Sequence, residues 1–186
     1  MKNLELSEKQ KNLLLEIARD TIQNTVLGSA RTKYDMDDPV LETECGAFVT
    51  IHNKGELRGC IGNITARTPL WLTISNMAVQ ASTADPRFPP VSADELDDID
   101  IEISALSPLW KTEDLNEIVA GKHGILIRKG FNQGLLLPQV ATEYGFDRVQ
   151  FLEHTCMKAG LPGDCYKSSN CEIYIFSATV FGEKDQ

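Results

Sequence analysis

The sequence contains no long apolar run. No stretch approaches the ~18–20 apolar residues needed to cross a bilayer. The charged N-terminus, residues 1–9, also lacks the apolar core of a signal peptide. These absences predict a cytoplasmic protein without a membrane segment. The 186 residues are 42% hydrophobic and 24% charged, which is ordinary for a globular chain and enough to bury a core without metals or disulfides.

Positive charge is scarce. Eighteen Lys and Arg stand against 27 Asp and Glu, a net charge of −9, which opposes nucleic-acid binding because phosphate-binding surfaces need a cationic footprint. Residues 94–117 hold nine acids and one lysine, whereas residues 118–138 hold only the cations Lys122, Arg128 and Lys129. Such local cations suit a small anionic ligand better than a polymer. Each charge taken alone is equally well explained as a solvated surface group.

Several chemical signatures are missing. The five cysteines include no CxxC pair, so no structural zinc site is predicted, and their odd number without a signal peptide predicts free thiols. No Gly-rich phosphate loop, HExxH or GxSxG pattern is present, nor the three-cysteine cluster of a radical iron–sulfur enzyme. The sequence thus indicates no metal and no particular cofactor.

The periodicity of apolar residues predicts helices and short strands in alternation. Helical spacing and capping residues predict four helices, at 8–27, 69–81, 112–120 and 148–159, with a short one after Ser92. Alternating or short apolar runs predict strands at 47–52, 57–61, 98–106, 124–129, 134–137 and 171–181. Consecutive hairpins imply antiparallel pairing. The predicted fold class is therefore α+β, with antiparallel or mixed sheets and flanking helices.

The most informative segment is the hairpin strand Leu57-Arg58-Gly59-Cys60-Ile61-Gly62, in which two glycines flank a cysteine closely. Glycine in a strand often marks a bulge or a close backbone approach. If pairing is regular, Arg58 and Cys60 share a face, and a nearby cation favours the thiolate. Cys60 is then a nucleophile or an anion-binding thiol. The alternative, which composition alone favours, is a small buried hydrophobic side chain.

Three further segments carry candidate ligand-binding residues. Arg87 lies in the proline-fixed loop 85–90, a setting that functional sites favour but that also suits a structural corner. Lys122 and His123 stand between two glycines whose backbone N–H groups could hold an anion, or they form a plain tight turn. Gln139 follows a predicted strand, as a ligand contact or a turn residue.

These segments resemble, in order along nearly the whole chain, the motifs of the AMMECR family, in particular its microbial members from AmmeMemoRadiSam systems. The resemblance is carried by residues 46–50, 57–62, 85–91, 122–124, 137–140 and 158–161. It implies a single AMMECR-type domain over residues 1–186, with two unequal lobes around a cleft. It also implies that Arg58, Cys60, Arg87, Lys122, His123 and Gln139 line that cleft.

The resemblance implies partner proteins but no particular reaction. Chains of this family tend to be encoded beside, or fused to, a Memo-like protein and a radical S-adenosylmethionine protein. The first hypothesis is an enzyme or enzyme component that binds a small anionic substrate, with Arg58 and Arg87 as charge partners and Cys60 as nucleophile. The second is a non-catalytic adaptor that holds a peptide or partner protein. A nucleic-acid-binding regulator comes third, because the net charge argues against it. The sequence does not indicate an oligomeric state.

Overall fold

The structure, a computed structural model, describes residues 4–65 and 67–185. Its helices are α1 Glu8–Val26, α2 Leu70–Thr83, α3 Pro138–Tyr144 and α4 Arg148–Lys158. Its strands are β1 Ala47–Asn53, β2 Glu56–Asn63, β3 Ile99–Leu106, β4 Trp110–Thr112, β5 His123–Lys129, β6 Asn132–Leu136 and β7 Glu172–Gly182. The α+β class predicted from the sequence is confirmed. The chain forms two compact units, a first unit of residues 4–106 with 179–185 and a second unit of residues 107–178.

The first unit packs α1 and α2 on one face of an antiparallel sheet with the strand order β2-β1-β3. Alternation in β1 points Ala47, Val49 and Ile51 into the core, where all three are fully buried. The turn between β1 and β2 has only two residues, Lys54 and Gly55, both with positive φ. Such a pair matches the right-handed twist of the strands that it joins, so the predicted hairpin is confirmed.

The helices of the first unit begin close to where their capping residues predict. Ser7 and Gln10 form the predicted capping box, because the side chain of each accepts a hydrogen bond from the backbone N–H of the other. The prediction for α2 was wrong by one residue. Pro69 rather than Thr68 is the N-cap, and the Thr68 hydroxyl instead bonds to that of Thr73 at 2.9 Å.

The first unit is discontinuous in sequence. The last residues of β7, from Thr179, and the 3-10 turn Glu183–Asp185 belong to it, although the whole second unit intervenes in the chain. Arg19 of α1 joins these parts. Its guanidinium donates to the Glu183 carboxylate (Nε to Oε1, 2.9 Å) and to the carbonyl of Ile99 at 2.9 Å. Glu183 also accepts the backbone N–H of Ile101 at 2.8 Å.

The second unit has the antiparallel strand order β4-β7-β5-β6. Its core includes Ile125, Ile127, Phe151 and Ile175, all fully buried. Asp147 caps α4 as predicted, since its carboxylate accepts the backbone N–H of Gln150 at 2.8 Å.

One prediction for the second unit was wrong, and one helix was missed. Within residues 112–120, Thr112 ends strand β4 and Leu115–Glu117 form a 3-10 turn, so the predicted helix is absent there. The Thr112 hydroxyl bonds to the carbonyl of Asp114 and to the Glu117 carboxylate, which favours a turn over helical backbone bonds. Helix α3 was not predicted. It begins at Pro138, whose fixed φ suits a first helical position, and ends at Gly145 with φ +65°.

A disulfide joins Cys156 of α4 to Cys165, with the two Cα atoms 6.0 Å apart. The prediction that all five cysteines are free was therefore wrong for this pair, whereas Cys45, Cys60 and Cys171 are free thiols. The chain reverses direction after α4, so that Cys165, nine residues after Cys156, lies against the helix again. An odd cysteine count excludes complete pairing but does not exclude one bridge.

Within the described residues, no helix is both long enough and apolar enough to cross a bilayer.

Candidate functional site

The hairpin strand 57–62 is irregular at Arg58. Gly59 pairs with Ile51 and Leu57 pairs with His52, so Arg58 is the extra residue of a β-bulge. The prediction that Arg58 and Cys60 share a face required regular pairing, and that premise was wrong. Arg58 instead donates to Glu95 and to the proline loop 85–90.

Arg58 binds the end of the proline loop 85–90 and Glu95, which follows the loop. Its Nε and Nη2 donate to the Glu95 carboxylate at 2.7 and 3.0 Å, and its Nη1 and Nη2 donate to the carbonyls of Pro89 and Pro90 at 2.9 and 3.2 Å. Hydrogen bonding from Arg58 lowers the pKa of Glu95 from 4.5 to about 2, with a smaller contribution from bonds donated by Ser92. The charge of Arg58 is therefore balanced by Glu95, and its donors hold neighbouring segments in position.

Arg87 is held in place by a buried carboxylate. Asp85 accepts two bonds from the Arg87 side chain, Nε to Oδ1 at 2.9 Å and Nη2 to Oδ2 at 2.7 Å. It also accepts the backbone N–H groups of Cys60 and Arg87. The bonds from Arg87 are the main reason why the pKa of Asp85 lies well below its usual range. The Arg87 side chain is still 53% exposed, and its Nη1 has no hydrogen-bond partner among the described residues.

Phe88 lies between the two arginines. Its ring centroid is 5.9 Å from the guanidinium carbon of Arg58 and 5.5 Å from that of Arg87, within the range of cation–π attraction. The structure therefore brings together the hairpin strand 57–62 and the loop 85–90, as the sequence predicted. Both belong to the first unit.

Cys60 is fixed by its backbone and partly open at its side chain. Its N–H donates to Asp85 at 2.9 Å, and its carbonyl accepts from Arg87 Nη2 at 3.4 Å. The thiol is half-buried and accepts a hydrogen bond from the Thr50 hydroxyl at 3.3 Å across the β1–β2 pair. The pKa of Arg87 is raised, mainly by hydrogen bonding to Asp85.

The two glycines of the hairpin strand allow close packing. A Cβ on Gly59 would lie 2.3 Å from the carbonyl oxygen of Ala81 in α2, and one on Gly62 would lie 2.1 Å from the Phe48 ring. Glycine is therefore required where the strand meets the helix and where an aromatic ring covers its outer face. Neither glycine needs a ligand to explain it.

Lys122 and His123 lie in the second unit, in a turn that follows Gly121. Their backbone N–H groups both bond to the carbonyl of Val119, which agrees with the tight turn that the sequence left open as the alternative to an anion site. His123 is buried, its Nδ1 accepts from the backbone N–H of Val119, and its ring meets Trp110 edge-on at 5.5 Å. Burial lowers the pKa of His123, and the charge of Lys122 lowers it further.

Gln139 carries an unpaired polar atom. Its Oε1 is buried, and among the described residues it has no hydrogen-bond partner. A buried acceptor without a donor costs about 1–3 kcal/mol, so a donor from a bound molecule would be favourable here. Gln139 belongs to the second unit, as Lys122 and His123 do.

Sequence reasoning missed the two carboxylates that organise the site. Asp85 and Glu95 lie within segments that the sequence singled out, as a proline loop and a capping box, but neither was assigned a partner. Their arginines were the available signal, because a partly buried arginine needs a carboxylate. Across residues 4–65 and 67–185, no three His, Cys, Asp or Glu side chains are grouped in a way that could hold a metal ion.

The fold and this site define an α+β protein in which two arginine–carboxylate pairs lie at the hairpin strand that carries Cys60. The AMMECR1 family profile matches residues 15–181. A protein of Methanothermobacter thermautotrophicus is 43% identical over 190 residues, covering 98% of this chain and 99% of that protein. A protein of Methanopyrus kandleri is 40% identical and covers 97% of this chain and 91% of its own length.

The crystal structure of an uncharacterised protein from Pyrococcus horikoshii has a TM-score of 0.84 and 35% identity, over 96% of this chain and 94% of that one. The chain belongs to the AMMECR1 family. This confirms the resemblance found in the sequence motifs.

Proposed function

We propose that the surface around Cys60 is the reactive site of an enzyme or enzyme component that accepts a small anionic substrate. One observation carries the proposal: a half-exposed thiol, fixed through its own backbone by Asp85 and Arg87, lies beside a half-exposed guanidinium. In this site Cys60 is the nucleophile and Arg87 contacts the anion through Nη1. Arg58 acts as a positioning residue, because its donors are engaged by Glu95 and the proline carbonyls.

We propose separately that the candidate residues of the second unit contact a ligand within that unit. Gln139 contributes a buried acceptor that lacks a donor among the described residues. Lys122 contributes an exposed cation, and His123 a buried imidazole with a lowered pKa. Family membership supports action together with Memo-like and radical S-adenosylmethionine proteins. Co-purification of tagged chain with both proteins tests that part, and the absence of both from the complex would contradict it.

Thiol reactivity tests the nucleophile, and the chain supplies its own controls. Burial raises the pKa of Cys45 to about 11 and also raises the pKa of Cys171. We expect iodoacetamide at pH 7 to label Cys60 fastest, as measured by mass spectrometry of proteolytic peptides. Labelling of Cys60 no faster than that of the half-buried Cys171 would remove it as a nucleophile.

Thermal shift tests the anion site with inorganic phosphate as the probe. We expect phosphate to raise the Tm more than chloride does at equal ionic strength, and we expect Arg87→Gln to abolish the difference. Lys54→Gln is the matched control, because Lys54 is a cation of the same unit that is 74% exposed. Equal phosphate effects in both variants would contradict an Arg87-dependent site.

Mixed DNA and RNA should bind the chain no more tightly than the non-specific range of about 10⁻⁴–10⁻⁶ M.

A non-catalytic adaptor is the second candidate, and the pairing of the site's charges favours it. Both arginines are matched by carboxylates, and the glycines are explained by packing, so the hairpin strand 57–62 needs no substrate to account for it. An inert Cys60 together with capture of a Memo-like or radical partner would favour the adaptor. A reactive Cys60 would favour the enzyme.

A further inference from the structure

The second unit carries an apolar groove that shares no residue with the proposed site. The aromatic groove, as we term it, has a volume of about 770 Å³. It is lined mainly by Leu136, Val140, Tyr144, Phe146, His154 and Met157. This volume falls in the range of about 300–1,000 Å³ that is typical of small-molecule sites.

Local chain geometry builds the groove. Helix α3 ends at Gly145, whose φ of +65° reverses the chain so that the Phe146 N–H donates to the carbonyl of Ala141 at 2.9 Å. The reversal places the rings of residues 144 and 146 side by side. His154, on the second turn of α4, meets the far side of this pair.

The three rings form a nearly parallel stack. Tyr144 and Phe146 have ring centroids 5.4 Å apart and planes 17° apart, and Phe146 and His154 have centroids 4.2 Å apart and planes 13° apart. Stacked rings at such distances attract one another beyond simple burial. Tyr144 ends the stack and is 71% exposed, and among the described residues only Phe146 stacks on it.

We propose that the aromatic groove binds a small molecule with a planar aromatic or heteroaromatic ring, which adds a fourth layer on Tyr144. The open face of Tyr144 supplies the stacking surface. Met157, which is 51% exposed, supplies an adaptable thioether wall. The apolar side chains of Leu136 and Val140 contribute to the remaining wall.

Charge at the rim argues against a charged polymer as the occupant. Glu143 and Lys158 line the groove with opposite charges, so the rim has no net charge to attract a nucleic acid backbone or a basic segment. A neutral ring of nucleoside size fits within the volume and agrees with this balance. The site needs neither Cys60 nor Arg87, so its test is independent of the proposed function.

Adenosine is the planar probe, and ribose is the control that lacks the base. We expect adenosine to shift the backbone amide NMR signals of residues 136–158 with a Kd on the order of 1 mM or tighter, and we expect ribose to leave them unchanged. Tyr144→Leu, which keeps an apolar side chain but removes the ring, should weaken adenosine binding by about tenfold. Tyr144→Phe should stay within about twofold, because the ring is kept.

Phe131→Leu is the matched control for loss of an exposed ring. Phe131 is fully exposed at the turn between β5 and β6 and does not line the groove, so adenosine affinity should not change. Three results would overturn the proposal: no adenosine-dependent shift up to about 10 mM, equal shifts with ribose, or unchanged affinity in Tyr144→Leu. Shifts that follow protein concentration without adenosine would identify a second copy of the chain as the occupant and would also overturn it.

Discussion

Replacing Glu95 by glutamine removes the carboxylate that holds Arg58 in the candidate site. Glutamine keeps the size of the side chain and one acceptor, but leaves a guanidinium that is only 13% exposed without its counter-charge. The difference between the ordinary pKa of 4.5 and the value of about 2 corresponds to a free energy of about 3 kcal/mol in favour of the ionised carboxylate. Glu95 is 24% exposed, so solvent screening reduces the expected loss of unfolding free energy to about 2 kcal/mol.

The pH dependence has a definite sign. The pKa of Glu95 is lower in the folded chain than its ordinary value, so its contribution to stability is complete above about pH 4.5. The contribution is lost as the pH falls from 4.5 towards 2, because Glu95 is then protonated in the unfolded chain but still ionised in the folded chain, so unfolding takes up a proton. The stability difference between the native chain and Glu95→Gln should therefore shrink across this window and stay constant from pH 5 to pH 7.

Urea unfolding followed by Trp71 fluorescence measures this difference in the unit that contains the site. A Trp110→Phe background, used for every variant, leaves Trp71 as the only tryptophan. Asp98→Asn is the matched control, because the Lys54–Asp98 pair of the same unit is 3.0 Å long but 74% and 48% exposed. That variant should lose less than about 0.5 kcal/mol. Equal losses in the two variants, or a Glu95→Gln loss that is independent of pH between 2 and 7, would refute the reasoning.

Two further tests concern packing and cross-linking. Gly59→Ala should lower the unfolding free energy by about 2–3 kcal/mol in the Trp71 assay, because its Cβ would overlap a backbone oxygen of α2. Gly163→Ala, with its nearest neighbour at 3.7 Å, should stay within about 0.5 kcal/mol when the second unit is followed by Trp110 fluorescence in a Trp71→Phe background. Reduction of the Cys156–Cys165 bridge by dithiothreitol should cost about 2.5 kcal/mol through the regained entropy of a nine-residue loop; a Cys156→Ser chain that gains nothing from oxidising conditions serves as its control.

Local patterns predicted most elements of this fold because local interactions decide them. The capping box at Ser7 and the alternation in β1 depend on residues within a few positions, and both appear as expected. The segment 112–120 has a helical apolar spacing, yet Thr112 and Asp114 divert its backbone into a turn. Short-range side-chain bonds of this kind compete with helix formation and are not visible in the periodicity.

The sequence indicated which segments meet at the candidate site, but not how their residues pair. Arg58 and Cys60 were predicted to share a face if pairing were regular, but one extra residue in the strand interrupts the regular pairing. A bulge depends on the register of two strands, and register depends on tertiary contacts such as that of Gly59 with α2. The pairing of Arg58 with Glu95, which is distant in sequence, depends on tertiary structure, whereas Asp85 is only two residues from Arg87.

The discontinuity of the first unit has a consequence for biosynthesis. Residues 4–106 leave the ribosome before Glu183 exists, and the 72 residues of the second unit are translated in between. At about 5–20 residues per second this interval lasts roughly 4–14 s. During that time Arg19 lacks its carboxylate, and the backbone N–H of Ile101 lacks its acceptor. A nascent chain is therefore exposed to aggregation at this edge of β3 until Glu183 is made, and chaperone occupancy should be greatest in that interval.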